Sequence, residues 1–155
     1  MKRESKKLPR IGSVGYQMIS HEALITWLAS SGIRAVVDVR WTPFSFKKGW
    51  SKAPLRQALE EHGIEYVSLR ALGTPAHLRQ ELRETGDFDH FQSEWCERVL
   101  PTPGVQTALE EVWRLACDGG VALLCLEHDP SRCHRSFLID ALTARAEQLE
   151  TLSFA

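Results

Sequence analysis

The chain contains no apolar run approaching the roughly 20 residues that a membrane-spanning helix requires, so it is not expected to sit in a membrane. No apolar core of an export signal follows the basic start MKRESKKLPR, and residues 1–9 are read as a short mobile arm of a cytoplasmic protein. An excess of either charge is also missing: 19 Lys and Arg stand against 20 Asp and Glu, a formal net charge of −1. This removes the broad positive surface with which nucleic-acid binders displace counterions from phosphates. Local basic patches remain, at Lys2, Arg3, Lys6, Lys7 and Arg10 and again at Lys47, Lys48 and Lys52. Paired C-x2-C hooks are absent, and Cys96, Cys117, Cys125 and Cys133 are read as free thiols. With no repeat, linker or low-complexity block, residues 10–155 read as a single α/β domain long enough to bury a core.

What is present is an alternation of helix and strand signals in a chain 43% apolar and 25% charged. That alternation predicts an α/β fold: a mostly parallel sheet of about four or five strands with helices on both faces, a Rossmann-like three-layer arrangement. RIGSVGY reads as the first strand. Ser20 is placed as the N-cap of a helix over 21–31, with Leu24 and Leu28 inward and Gly32 as the stop. AVVDV is a β-branched run of the kind buried on both faces of a sheet. Leu55 and Leu59 mark a second helix, IEYVSL a third strand, and Thr74-Pro75 the N-cap and first position of another helix. Asp87 caps a helix with Phe88, Phe91 and Trp95 inward, and Pro103 opens one that runs to Gly119-Gly120. VALLCL is the clearest buried strand, and TLSFA is either a short edge strand or a frayed tail.

Open parallel sheets bind ligands outside the carboxyl ends of their strands, where helix N-termini converge. Polar clusters stand at such ends here. The first is Asp38 and Arg40 with Ser45 nearby; the second is Glu127, His128, Asp129, Ser131, Cys133, His134 and Arg135. If the two strands are neighbours, the clusters face each other across one cleft. Asp129-Pro130 fits a helix start, which would put Cys133, His134 and Arg135 in or near its opening turn, where the helix dipole favours an anion beside Arg135 and a reactive thiol at Cys133. In that helix His134 would point away from Cys133, leaving Glu127 or His128 as the better proton carrier. Arg40 and Arg135 are either anion ligands or partners of Asp38 and Glu127 in loop-bracing ion pairs. The C-x7-C-H spacing argues against a structural zinc hook, so neither a metal nor another cofactor is expected. From Cys125 the next arginine is Arg132, one residue beyond the C-x5-R spacing of phosphatase-type loops.

GSVGY, GIRAVVDVRWTPFSF, GIEYVSLRALGTP and LLCLEHDPSRCHRSFLIDAL resemble, in order, the motifs of the domain of unknown function 488 family. The most specific are C-x-E-x-D-P-x-x-C-H-R, from Cys125 to Arg135, the V-D-V-R of Val37 to Arg40, and the P-x-S of Pro43 and Ser45. The resemblance implies an α/β fold in bacterial-type cytosolic proteins with the polar motif residues gathered at one end of the sheet, and it implies no particular reaction. Phe46 stands where family members commonly carry Arg, and Gln17 where they carry Ser; Lys47 and Lys48 are the candidates to supply the missing charge.

The leading functional expectation is an enzyme acting on a phosphorylated or nucleotide-like substrate. Arg40 and Arg135 hold the anion with Asp38, Ser45, Asp129 and His134, Glu127 or His128 moves protons, and Cys133 is the nucleophile. The alternative is a non-catalytic module for nucleic acid or an anionic metabolite, with Trp41, Phe46 or Trp50 as stacking surfaces unless they form a lid on the core. A third reading has the motif merely bracing loops.

Overall fold

The computed structural model describes residues 9–145 and 150–153. Most of the expected basic arm, residues 1–8, lies outside them, as do Phe154 and Ala155. The element order is β1 (Arg10–Gly15), α1 (His21–Ser30), β2 (Ala35–Asp38), α2 (Lys52–Glu60), β3 (Glu65–Ser68), α3 (Ala76–Thr85), α4 (Phe88–Glu94), α5 (Pro103–Gly119), β4 (Val121–Cys125), α6 (Arg135–Arg145) and β5 (Glu150–Ser153). Short 3-10 turns at Arg70–Leu72 and Pro130–Arg132 and a π turn at Trp95–Val99 complete it. All strand pairings are parallel, in the order β3-β2-β4-β1-β5.

The strands form because they are apolar on alternate positions of both faces. On one face Ile11, Val37, Val39, Leu123 and Cys125 pack under α5 and α6; on the other Val14, Val36, Ala122 and Leu124 pack under α1 and α2. Every residue of β2 and β4 is buried, which is why both read as apolar runs, broken in β2 by Asp38 alone. The three-layer α/β expectation therefore holds. So does the N-cap of α1, whose Ser20 hydroxyl accepts a bond from Ala23 N at 3.1 Å. At α3 the boundary moves: Pro75 is the N-cap and the helix begins at Ala76, leaving Thr74 buried in the preceding loop. The TLSFA segment supplies an edge strand over Thr151 to Ser153, paired with β1.

This topology positions the site. The chain leaves β2 and β1 for helices on one face, whereas it leaves β4, their shared neighbour, for α6 on the other. Loops that part in opposite directions open a crevice at the carboxyl end of β4, the switch point at which such sheets bind ligands.

Candidate functional site

β2 and β4 are adjacent, with Asp38 opposite Leu124 and Val39 N donating to Leu124 O at 3.1 Å, so the two polar clusters leave the sheet side by side. Strand alternation sends Asp38 and Arg40 toward the α1/α2 face and Val39 toward the α5/α6 face. Asp38 grips Arg40 in a bidentate pair, Nε to Oδ1 at 2.8 Å and Nη2 to Oδ2 at 2.6 Å, while Tyr66 OH donates to Oδ2 at 2.5 Å. Arg40 Nη1 donates to the Trp50 carbonyl at 2.6 Å and to Tyr16 OH at 3.3 Å. Burial opposes the charge on Arg40, but the Asp38 carboxylate and the Tyr16 hydroxyl outweigh it and hold the guanidinium more firmly protonated than usual. Burial and the neighbouring Asp38 push the Tyr66 phenol well above its ordinary range. Each nitrogen of Arg40 thus binds protein, and the residue braces its loop at the wall of the crevice with its charge offset by Asp38.

The second loop is arranged differently from the helical start expected at Asp129. Asp129 caps the 3-10 turn, accepting from Ser131 N at 2.9 Å, and α6 begins only at Arg135. Cys133 lies between them in extended backbone, with φ −132° and ψ 147°. In this geometry Cys133 and His134 do not diverge as helical neighbours would: Cys133 Sγ lies 3.6 Å from His134 Nδ1. The expectation that His134 faces away from the thiol is corrected by this contact. His134 Nε2 lies 3.1 Å from the Val39 carbonyl. A carbonyl only accepts, so Nε2 carries hydrogen and donates to Val39, which leaves Nδ1 facing the thiol. The π turn holds Trp95 beside this imidazole, with ring centres 5.8 Å apart.

Arg135 is fully buried, donating from Nε to Cys133 Sγ at 3.3 Å and from Nη2 to the Glu127 carbonyl. Burial opposes ionisation of Cys133, yet hydrogen bonds from Cys125 and His134 and the charges of His134 and Arg135 prevail and draw its thiol well below the usual range. The Cys125 thiol is driven the other way by its bond to Cys133 and by burial. Burial also works against charge on His134, which the Cys133 sulfur and the Val39 carbonyl reverse, and burial followed by the Cys133 charge raises Glu127.

These groups open on a cavity of about 270 Å³ between the two loops. Cys125, Glu127, Cys133, His134 and Arg40 line it, and Glu127 Oε2 is buried there without a hydrogen-bond partner. Arg135 and Asp38 stand behind the wall. His128 and Asp129 are exposed outside it, and Ser45 turns inward to its own loop, its hydroxyl accepting from Lys47 N at 3.1 Å. Lys47 Nζ donates to the carbonyls of Tyr16, Gln17 and Ile19, so it ties two loops together and does not replace the arginine absent at Phe46. A hollow of about 590 Å³ around Arg10, Arg34 and His62 opens at the amino ends of the strands, the wrong end of a parallel sheet for a ligand.

The cavity also has members that the motifs did not single out. Arg79 and Arg83, four apart on α3, and Arg132 ring its mouth. On the sequence alone they look like a solvated helix face and a turn residue. Two glycines give it room: a Cβ on Gly15 would stand 1.8 Å from the Glu127 carbonyl oxygen, and one on Gly73 would stand 2.4 Å from Trp41 N. Their signal lay in GSVGY and GTP, but only the fold shows what approaches them. Among the described residues, Cys125, Cys133 and His134 form the group whose donor atoms could hold a metal, all within 4.8 Å of one another. No helix among the described residues is long and apolar enough to cross a membrane.

No curated protein and no solved structure matches the chain. The family model described as "Domain of unknown function DUF488" matches residues 20–142, most of the chain and all of the cavity residues except Tyr16. The protein therefore belongs to the DUF488 family.

Proposed function

We propose that the protein is an enzyme acting on a phosphorylated or nucleotide-like anion through Cys133. The observation that carries this reading is the Cys133–His134 contact, 3.6 Å with the ring oriented by Val39, at the wall of a cavity ringed by Arg79, Arg83 and Arg132. A thiol, a base beside it and a third group orienting the base are the elements of an activated nucleophile. In the reaction the Cys133 sulfur attacks the electrophilic centre next to the anionic group, its proton passing to His134, and the bond to the leaving oxygen breaks. Glu127, which lines the same cavity, delivers a proton to that oxygen. Arg79, Arg83 and Arg132 offset the charge of the substrate. His128 and Asp129, exposed outside the cavity, have weaker support as participants.

The test is protection of Cys133 from iodoacetamide by inorganic phosphate and by a nucleoside monophosphate. Protection that weakens about tenfold or more in an Arg79→Gln/Arg83→Gln variant supports the proposal. Equal alkylation with and without either anion contradicts it.

A binding module for single-stranded nucleic acid has one observation in its favour: Phe46 is 97% exposed, edge-on to a half-exposed Phe44 at the cavity mouth. Trp50 cannot contribute, because it is buried and stacked on Tyr16 at 4.9 Å. Oligonucleotide affinity that falls steeply with salt and is lost in Phe46→Ala would favour this module over the enzyme.

A further inference from the structure

We infer that Cys125, Cys133 and His134 form a three-ligand site for a thiophilic divalent cation, zinc above all, with the fourth position open to the cavity. The C-x7-C-H spacing disfavours such a site on paper, since it has no paired hook. The fold removes that objection by bringing the last residue of β4 and the turn before α6 together. Tetrahedral zinc, with bonds of about 2.3 Å to sulfur and about 2.0 Å to nitrogen, sets its ligand sulfur and nitrogen about 3.5 Å apart and two sulfurs about 3.8 Å apart. Cys133 Sγ and His134 Nδ1 are 3.6 Å apart, and Cys125 Sγ completes a triangle with no side longer than 4.8 Å. One side of the triangle thus has the length that a zinc tetrahedron needs, and the sides to Cys125 have at most about 1 Å to close, within reach of a side-chain torsion.

The surroundings match as well. A ligating imidazole donates its other N–H to a carbonyl or carboxylate, as His134 Nε2 does to Val39. Thiolate ligands take N–H bonds at sulfur, which Arg135 Nε supplies to Cys133. Binding releases the two thiol protons, and the two thiolates neutralise the cation. All three residues line the cavity, so a water or a substrate anion has access to the fourth position beside Glu127. Three protein ligands and an open place are the arrangement of catalytic zinc rather than of closed structural sites.

The cation and the proposed nucleophile share Cys133, so a zinc-bound sulfur is withheld from attack and metal occupancy decides which chemistry the pocket performs. The two proposals fail separately. Tight metal binding with an unreactive metal-free Cys133 ends the nucleophile and keeps the cation site; a reactive Cys133 without metal binding does the reverse.

The experiment titrates metal-free full-length protein with Co²⁺ and then displaces it with Zn²⁺. The expected result is one equivalent of tetrahedral cobalt with a sulfur-to-metal charge-transfer band, reduced in Cys125→Ser and Cys133→Ser and unchanged in Cys96→Ser/Cys117→Ser. Should the buried variants fail to fold, wild-type protein is alkylated with and without zinc and mapped by mass spectrometry. Zinc should then protect Cys125 and Cys133 together while Cys96 and Cys117 keep reacting. Octahedral cobalt without charge transfer, or protection at neither buried thiol, overturns the inference.

Discussion

His134 and Val39 are 95 positions apart in the chain, and the imidazole Nε2 of one lies 3.1 Å from the backbone carbonyl of the other. This bond fastens the turn before α6 to the end of β2 and fixes which ring nitrogen meets Cys133. His134→Ala should therefore act twice. Loss of the buried partner should lower stability by about 1–3 kcal/mol, read from denaturant unfolding. Loss of the base should slow Cys133 alkylation in the metal-free protein by about 10²-fold.

Gly15 is required by the path of the second loop, because a methyl there would overlap the Glu127 carbonyl. Gly15→Ala should destabilise the fold by about 1–3 kcal/mol through overpacking. It should also displace the carbonyl that Arg135 Nη2 binds, so that thiol reactivity changes even where the variant remains folded. An unchanged unfolding midpoint would show that the loop can move aside.

Asp38 and Arg40 are 0% and 5% exposed and paired at 2.6 Å. Asp38→Ala strands a buried guanidinium and should lose about 3–5 kcal/mol. The double variant Asp38→Ala/Arg40→Met should be more stable than Asp38→Ala alone, which denaturant titration of wild type, Asp38→Ala, Arg40→Met and the double variant resolves.

Tyr66 gives a pH dependence. Burial and Asp38 raise its phenol, so the folded protein keeps a proton that the unfolded chain releases near pH 10, and its unfolded form binds fewer protons above that point. The stabilisation is intact below about pH 10 and is lost as pH rises toward the folded value. Tyr66→Phe should flatten this alkaline decline in the unfolding midpoint, relative to wild type.

Local chemistry made much of the fold legible. The β-branched runs of β2 and β4, the Ser20 and Asp87 caps and the Gly120 break all depend on near neighbours, and all stand where the pattern put them. Strand order is different: that β4 separates β1 from β2 follows from the crossovers, and no residue of VALLC states it. Within the site, the motif located the right segment but not its backbone. Asp129-Pro130 is a helix-start signal, and here the same cap closes a 3-10 turn, so His134 does not take the orientation that a helical start implies. The motif marks Arg40 but not its restraint, because Trp50 O and Tyr16 OH arrive from separate loops. Arg79 and Arg83 carry no local mark distinguishing them from an ordinary exposed helix face.

We propose Cys133, through its contact with His134, as the reactive thiol of this cavity. Its most direct test is the alkylation rate of each cysteine in the folded, metal-free protein at neutral pH, followed by mass spectrometry. Cys133 should react faster than exposed Cys117 and than free glutathione despite its burial, and lose that advantage in His134→Ala. A Cys133 slower than Cys117, or as fast without His134 as with it, would show that His134 does not activate the thiol.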